Sequence, residues 1–414
     1  MRELIEGSQA IAETVLRCRP EVVPAYPITP QTHIVERIGR LLKQSAGTRA
    51  RFLTVESEFA AMSVAIGASA AGSRTYTATA SQGLLYMAEA LFNAAGLSLP
   101  IVLTVANRAI GAPINIWNDQ SDSMSMRDCG WIQLYAQDNQ QAVDLHVLAF
   151  RLAEQLSVPV MVCVDGFVLT HAFEPLEVPA QDLVDDFLPA LVPEQLLAPA
   201  EPMTIGAMVG PEAFTEVRYL AYQQHAGAIE LLPELSAAYQ QRTGRAVPAL
   251  SCYRTEDADL IALALGSVTG TLRAAVDQAR QAGHRIGLVG LTLYRPFPDA
   301  QVRAALGRAR RVVVLERAMA AGAGGAVTAD VRAAVPGLPV HTLVAGLGGR
   351  AVSEQSLATA LIAMADGRVD GMQVLDLRTD VVERESARRR AAVRPGPAAV
   401  NLLRDSAPGG SRIH

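Results

Sequence analysis

Strand-like and helix-like runs alternate at least four times over the first 171 residues, and that alternation narrows the possible folds more than any other feature. Val22-Val23, Phe52 to Val55, Arg74 to Ala80, Ile101 to Val105 and Val158 to Asp165 are short apolar or alternating runs. Between them lie helical patterns over roughly 33–44, through the small residues Ala60 to Gly72, from Leu84, and over roughly 139–155. Strands joined by helices of that length read as crossover units, and so as a mainly parallel sheet covered on both faces. The Phe52–Val55 strand and the Ala-rich helix after it are expected to be buried, and Ser8 is expected to cap a helix through Ile11 and Leu16.

Polar residues close several of these strands. Tyr26-Pro27-Ile28-Thr29-Pro30 follows Val22-Val23, and its two prolines fix their own φ while pushing Tyr26 and Thr29 toward extended backbone. The turn is stiff and restrains Thr29, for which helix capping is the plainer alternative. The Phe52 strand ends at Glu56-Ser57-Glu58, and the Ile101 strand ends at Asn107-Arg108. In a parallel sheet such ends gather on one edge, where open α/β folds bind ligands, so Thr29, Glu58 and Arg108 can converge on one cleft. Glu58 starts a helix whose dipole favours a carboxylate, Glu56 competes with it, and a plain first-turn acid would look the same. For Arg108 the ordinary alternative is an ion pair to Asp119 or Asp122. Residues 109–130, with Trp117 among several polar groups, are irregular for long enough to suggest a functional loop.

The remaining chain divides by composition. Residues 172–255, with acidic and proline-rich patches and an amphipathic stretch over 212–242, read as a connector with its own helix. A second α/β unit spans 256–378, with strands at Leu260–Leu265, Ile286–Leu291 and Val312–Leu315 and helices over 269–282 and 299–308. The expected fold class is therefore α/β, with two doubly wound, mainly parallel-sheet domains. Gly266-Ser267, Gly322-Ala323-Gly324-Gly325 and Gly346 to Arg350 follow strands but lack a dinucleotide or P-loop spacing, and are expected to be ordinary tight turns. Residues 379–414, rich in Arg, Pro and Gly, are expected to wrap a partner or stay mobile.

Half of the 414 residues are hydrophobic and 5% aromatic, so the core is built from Ala, Val, Leu and Ile. A net charge of -5 gives no basic surplus and argues against a nucleic-acid partner. No run reaches the length of a membrane span and Met1 to Glu6 has no apolar leader, so a cytoplasmic protein is expected. Cys18, Cys129, Cys163 and Cys252 are scattered, which suits a reducing compartment and leaves no ligand spacing for an iron–sulfur cluster.

Tyr26 to Pro30, Val55-Glu56-Ser57-Glu58, Thr79 to Leu84, Asn107 to Asp122 and Val164-Asp165-Gly166-Phe167 occur in family order. Together they resemble the α subunit of the 2-oxoacid:ferredoxin oxidoreductases, most of all the pyruvate type. That resemblance implies a thiamine diphosphate pyrimidine-binding core over 1–171 and a transketolase C-terminal-like domain over 256–378, with 379–414 an extended tail. It implies that Glu58 hydrogen-bonds the aminopyrimidine of the cofactor, with Tyr26, Pro27 and Ile28 beside it. It further implies that Arg108 binds the 2-oxoacid carboxylate and that Thr29 hydrogen-bonds the substrate.

None of Asp165-Gly166, Asp366-Gly367 and Asp370-Gly371 has the leading glycine of the motif that holds Mg²⁺ and diphosphate in thiamine enzymes. The Mg²⁺, the diphosphate and the iron–sulfur clusters are thus expected on partner subunits of β, γ and δ type, with the site at the α–β interface. CoA is the expected co-substrate and ferredoxin or an equivalent the acceptor. Pyruvate is the expected 2-oxoacid, with a branched-chain or aryl 2-oxoacid, another kind of thiamine enzyme subunit, or a non-catalytic assembly subunit as alternatives.

Overall fold

A computed structural model describes residues 2–44 and 50–406. The chain opens with β1 (Glu3–Glu6), α1 (Gly7–Arg17), β2 (Val22–Ala25), α2 (Thr32–Gln44), β3 (Arg51–Thr54), α3 (Glu58–Ala70) and β4 (Thr75–Thr79). Two short helices, α4 (Ser81–Tyr86) and α5 (Ala88–Gly96), lead into β5 (Ile101–Asn107). Then come α6 (Ser121–Ser125), β6 (Ile132–Tyr135), α7 (Asn139–Leu156) and β7 (Val160–Asp165). The connector holds β8 (Phe173–Leu176), α8 (Gln181–Phe187), α9 (Phe214–Ala226) and α10 (Ala228–Thr243).

The second unit runs β9 (Leu250–Tyr253), β10 (Leu260–Leu265), α11 (Val268–Gln281), β11 (Ile286–Leu291), β12 (Leu293–Arg295) and α12 (Asp299–Leu306). It continues with β13 (Arg311–Glu316), α13 (Ala326–Ala334), β14 (Val340–Val344), α14 (Glu354–Ala365) and β15 (Met372–Val374). Two helices, α15 (Thr379–Ala391) and α16 (Ala398–Ser406), close the described chain.

Two mainly parallel sheets result. The first has the order β12-β6-β7-β5-β4-β2-β3, and only β12 runs against its neighbour. The second has the order β15-β14-β13-β10-β11-β9, with β9 antiparallel. The strands β10 and β11 are continuous apolar runs, and they, β5 and β7 are buried at every position, as a sheet covered on both faces requires. Asp138 starts α7 by accepting from Gln141 N at 2.7 Å, and that helix is buried on nearly every side.

Several local expectations are corrected. The strand β3 lies at the sheet edge, paired only with β2, so it is not buried and Leu53 remains 41% exposed. Ser8 does not cap α1; the cap position is Glu6, and the Ser8 hydroxyl donates to the Thr170 carbonyl at 2.6 Å. The stretch 212–242 breaks at Gly227 into α9 and α10. The tail is helical over 379–391 and 398–406, joined by Arg388 to Asp405 and by Asn401 to Glu385. Its residues 407–414 lie outside the described residues.

The strand order reverses between β2 and β4: from β2 the chain moves out to β3, and from β4 it moves the other way to β5. These strands pair only at Val22 and Thr75. Pro24 has no N–H to donate, and its carbonyl accepts instead from Thr77 Oγ1 at 2.7 Å. Beyond it, fully buried Gln31 donates from Nε2 to the Ala78 carbonyl at 2.6 Å. Side chains thus replace ladder bonds at a strand-order reversal, the kind of crevice where open parallel sheets receive ligands.

Candidate functional site

Ser57 caps α3, accepting from Ala60 N at 3.1 Å, and this places Glu58 in the first helical turn beside the β2–β4 crevice. Glu58 is 8% exposed, and among the described residues no hydrogen bond or ion pair engages its carboxyl. Glu56, the competing acid, is exposed. A Cβ on Gly83 would lie 2.5 Å from Thr79 Oγ1 and 2.7 Å from Glu58 Oε1, so the α4 turn comes this close only because residue 83 is glycine. Thr79 Oγ1 is itself buried without a hydrogen-bond partner among the described residues. Buried polar groups are normally satisfied, so the Thr79 hydroxyl left open beside an unengaged acid marks a surface shaped for something else.

Arg108 follows β5 and is 9% exposed. Its Nη1 donates to the Thr29 carbonyl at 2.9 Å and its Nε to the Asn115 carbonyl at 3.1 Å. Asp122 bonds the Arg108 main-chain N–H at 3.0 Å, and Asp119 bonds Ser121 and Gly348, so neither provides the anticipated ion pair to the guanidinium. Burial lowers the Arg108 pKa and the Asp122 charge opposes that shift. A guanidinium held by two neutral carbonyls keeps its charge available for an anion. Pro30 packs where a Cβ on Gly166 would meet its Cγ at 2.6 Å, which seats the turn on the ends of β5 and β7. The Thr29 side chain faces solvent, Tyr26 and Pro27 are exposed, and Ile28 packs on the core. The structure therefore joins Thr29 to Arg108 directly, while Glu58 stands against the neighbouring α4 turn.

Two of the three glycine turns of the second unit, Gly266-Ser267 and Gly346 to Arg350, also meet the first unit. Asp165 Oδ2, at the end of β7, accepts from Ser267 N at 2.8 Å, capping α11 from the other sheet. Gly348 N donates to Asp119 Oδ2 at 3.1 Å, and Asn115 Nδ2 donates to the Gly348 carbonyl at 3.1 Å. A Cβ on Gly349, at φ +79, would lie 2.3 Å from Trp117 Cβ. Gln120 N donates to the Arg317 carbonyl at 2.8 Å. The loop that carries Arg108 toward the crevice is thus backed by the ends of β10, β13 and β14. Composition signalled a functional loop, but residues 145 to 233 positions away supply its supports. A cavity of about 370 Å³ lies between the units, lined among others by Ile110, Met124, Ala318 and Leu347.

One set of potential metal ligands exists among the described residues: Glu6, His33 and His171 lie with ligand atoms within 4.8 Å of one another. Glu6 Oε1 is already bonded to His33 Nδ1 at 2.6 Å, and the two imidazoles stack at 4.5 Å. Stacked rings present their in-plane lone pairs side by side, so the trio reads as a hydrogen-bonded cluster.

Two parallel sheets with strand ends turned toward shared loops, and an unpaired buried acid at the strand-order reversal, define an α/β enzyme chain with a cofactor-type cleft. A family profile described as pyruvate flavodoxin/ferredoxin oxidoreductase, thiamine diphosphate-binding, matches residues 13–233, and one described as pyruvate:ferredoxin oxidoreductase core domain II matches residues 258–357. The chain belongs to the pyruvate flavodoxin/ferredoxin oxidoreductase family. It is 42% identical to the pyruvate synthase subunit PorA of Methanosarcina barkeri over 86% of this chain and 91% of that protein. It is 38% identical to PorA of Thermotoga maritima over 91% of this chain and 98% of that protein. Ketoisovalerate oxidoreductase subunit VorA of Pyrococcus horikoshii is 36% identical over 84% of this chain and 90% of that protein. A solved 2-oxoglutarate:ferredoxin oxidoreductase from Magnetococcus marinus has the same fold, with a TM-score of 0.73 at 19% identity, covering 88% of this chain and 65% of that one.

Proposed function

We propose that this chain is the α-type subunit of a complex that oxidatively decarboxylates a 2-oxoacid, pyruvate first, to acyl-CoA and CO₂ and passes two electrons to a ferredoxin-type acceptor. The observation that carries the reading is the buried, partnerless Glu58 carboxyl at the β2–β4 reversal, with Arg108 held at the adjoining strand ends. Thiamine diphosphate supplies an electron sink for decarboxylation when bound. The residues present fit one edge of it: Glu58 offers a carboxyl that can share a proton with a ring nitrogen, and the α4 turn packs closely against that carboxyl at Gly83. Glu58 binds and orients the aminopyrimidine there, with Tyr26, Pro27 and Ile28 along the wall. Arg108 holds the substrate carboxylate, and the Thr29 hydroxyl hydrogen-bonds the substrate beside it.

Partner subunits complete the site. No Asp-Gly pair in the sequence carries the leading glycine of the Mg²⁺–diphosphate motif, which supports placing the metal and the diphosphate on a β-type partner. The scattered cysteines support placing the iron–sulfur clusters on γ- or δ-type partners. Phe59, next to Glu58 in α3, and Tyr86 are exposed and in ring contact, an apolar patch suited to a covering subunit. Among the described residues no helix is long and apolar enough to cross a membrane, which accords with a cytoplasmic complex. Pyruvate is favoured because the PorA relatives share more identity with the chain than VorA does.

The test is co-purification with natural partners, followed by a 2-oxoacid panel with CoA and a low-potential dye. CoA- and thiamine-dependent dye reduction strongest with pyruvate is the expected result. Preference for a branched-chain or aryl acid would move the substrate assignment, and inertness of the assembled complex with every acid would overturn the reading.

A further inference from the structure

We propose that Asp122 is a positioning residue whose buried carboxylate locks the Arg108 main chain to the Ser81–Gly83 turn, so that the substrate-binding arginine and the wall beside Glu58 behave as one rigid piece. The inference rests on the roles proposed above for Arg108 and Glu58. Asp122 is 0% exposed at the start of α6. Its Oδ2 accepts from Ser81 N at 2.9 Å and from Arg108 N at 3.0 Å. Its Oδ1 accepts from Asn107 Nδ2 and from Ser123 N, each at 2.8 Å. Four donors from three segments therefore meet on two oxygens, and one of those segments begins each half of the site.

The chemistry selects a carboxylate. Only an ionised acid accepts on both oxygens and brings no donor of its own, whereas an amide would turn an NH₂ group toward one pair of N–H donors. A carboxylate that were mere filler would be costly to bury, and here the four bonds offset that cost. Ser81 stands at φ +50, a left-handed conformation that is unfavourable for a non-glycine residue. Two bonds hold it there: its N–H to Asp122, and its hydroxyl to the Ala109 carbonyl. Two residues later, Gly83 makes its close approach to Glu58 and Thr79. A shift at Asp122 is thus transmitted to Arg108 through one backbone bond and to the Glu58 wall through another.

The test uses the assembled complex in four forms: wild type, Asp122→Asn, Arg108→Gln and the double variant. Asp122→Asn is expected to lower kcat/KM for the 2-oxoacid by about 10–100-fold, mainly through KM, in the wild-type background. In the Arg108→Gln background the same change is expected to cost less than about 3-fold, because the residue it positions is already gone. Hydrogen exchange should quicken at peptides holding Ser81 and Arg108 while β10 stays protected. Effects that multiply across the two sites, an unchanged KM, or unchanged exchange would overturn the proposal. Should Asp122→Asn fail to assemble, Asn107→Ser removes one donor only and should give a smaller KM rise with the same non-additivity. Failure of both variants to assemble would assign Asp122 to folding alone, which also overturns it. A wild-type complex without turnover would strike instead at the proposed function, and the exchange measurement would still decide whether the lock exists.

Discussion

Arg108 reaches across the end of β4 to donate from Nη1 to the Thr29 carbonyl at 2.9 Å. The strands that carry these two residues, β5 and β2, flank β4 on either side. Two strand spacings, about 10 Å, are thus bridged by one side chain. The bond uses the main chain of Thr29 and leaves its exposed side chain unengaged among the described residues. The Arg108 guanidinium is thus oriented by the backbone of a proline-flanked turn.

Arg108→Ala should raise KM for the 2-oxoacid by roughly 10–100-fold, the loss of one charge-assisted contact of about 1.5–3 kcal/mol. A lysine at this position, with a single ammonium, cannot hold the Thr29 and Asn115 carbonyls together and should recover little. Saturation kinetics on the complex check both, and an unchanged KM in the alanine variant removes Arg108 from substrate binding.

Glu58→Ala should lower turnover by about 10²–10⁴-fold while leaving assembly intact, since its carboxyl supports no other described contact. Size-exclusion of the complex beside the dye assay separates the two effects. Near-normal turnover would rule out its assigned role.

Gly83→Ala tests the same pocket by volume. The new methyl would sit 2.7 Å from Glu58 Oε1 and 2.5 Å from Thr79 Oγ1, so the carboxyl must move. We expect at least a 10-fold loss of turnover and a stability cost of about 1–3 kcal/mol. Wild-type turnover in this variant would show that the Glu58 position is not critical.

Acid sensitivity should arise in part from His146. It is buried, donates from Nδ1 to the Ala142 carbonyl at 2.6 Å and meets the Thr104 hydroxyl at Nε2, also at 2.6 Å. Burial lowers its pKa from 6.5 to about 4. A depressed histidine stabilises the fold above pH 6.5 and loses that contribution, about 3 kcal/mol, as pH falls toward 4. Denaturant unfolding from pH 4 to 7 should therefore show a shallower acid loss for His146→Gln than for the wild type. Parallel curves for the two proteins would refute the assignment.

The parallel sheets were legible because β10 and β11 are unbroken apolar runs flanked by glycine turns, and that pattern has few other solutions. The gathering of Thr29 and Arg108 at one edge follows from parallel strands. The edge position of β3 was not legible, because an apolar strand looks alike at a sheet's centre and at its rim until strand order is known. Gln31 and Asp122 escaped for another reason: their importance lies in bonds to Ala78, Ser81 and Arg108 that only the folded path brings within reach. The glycines at 346, 348 and 349 announced a turn, but Asn115 and Trp117, the partners of Gly348 and Gly349, lie more than 200 residues earlier.

The pairing of β12 with β6, through Leu293 to Leu134 and Arg295 to Gln133, has a consequence for biosynthesis. The first sheet keeps one bare rim until residue 295 leaves the ribosome, although β7 is complete at residue 165. At 5–20 residues per second that interval lasts roughly 6–26 s. During it, the unpaired N–H and C=O groups of Ile132–Tyr135 are open to a neighbouring nascent chain. A fragment ending near residue 171 would keep that rim permanently, and would be expected to aggregate where the full chain stays dispersed.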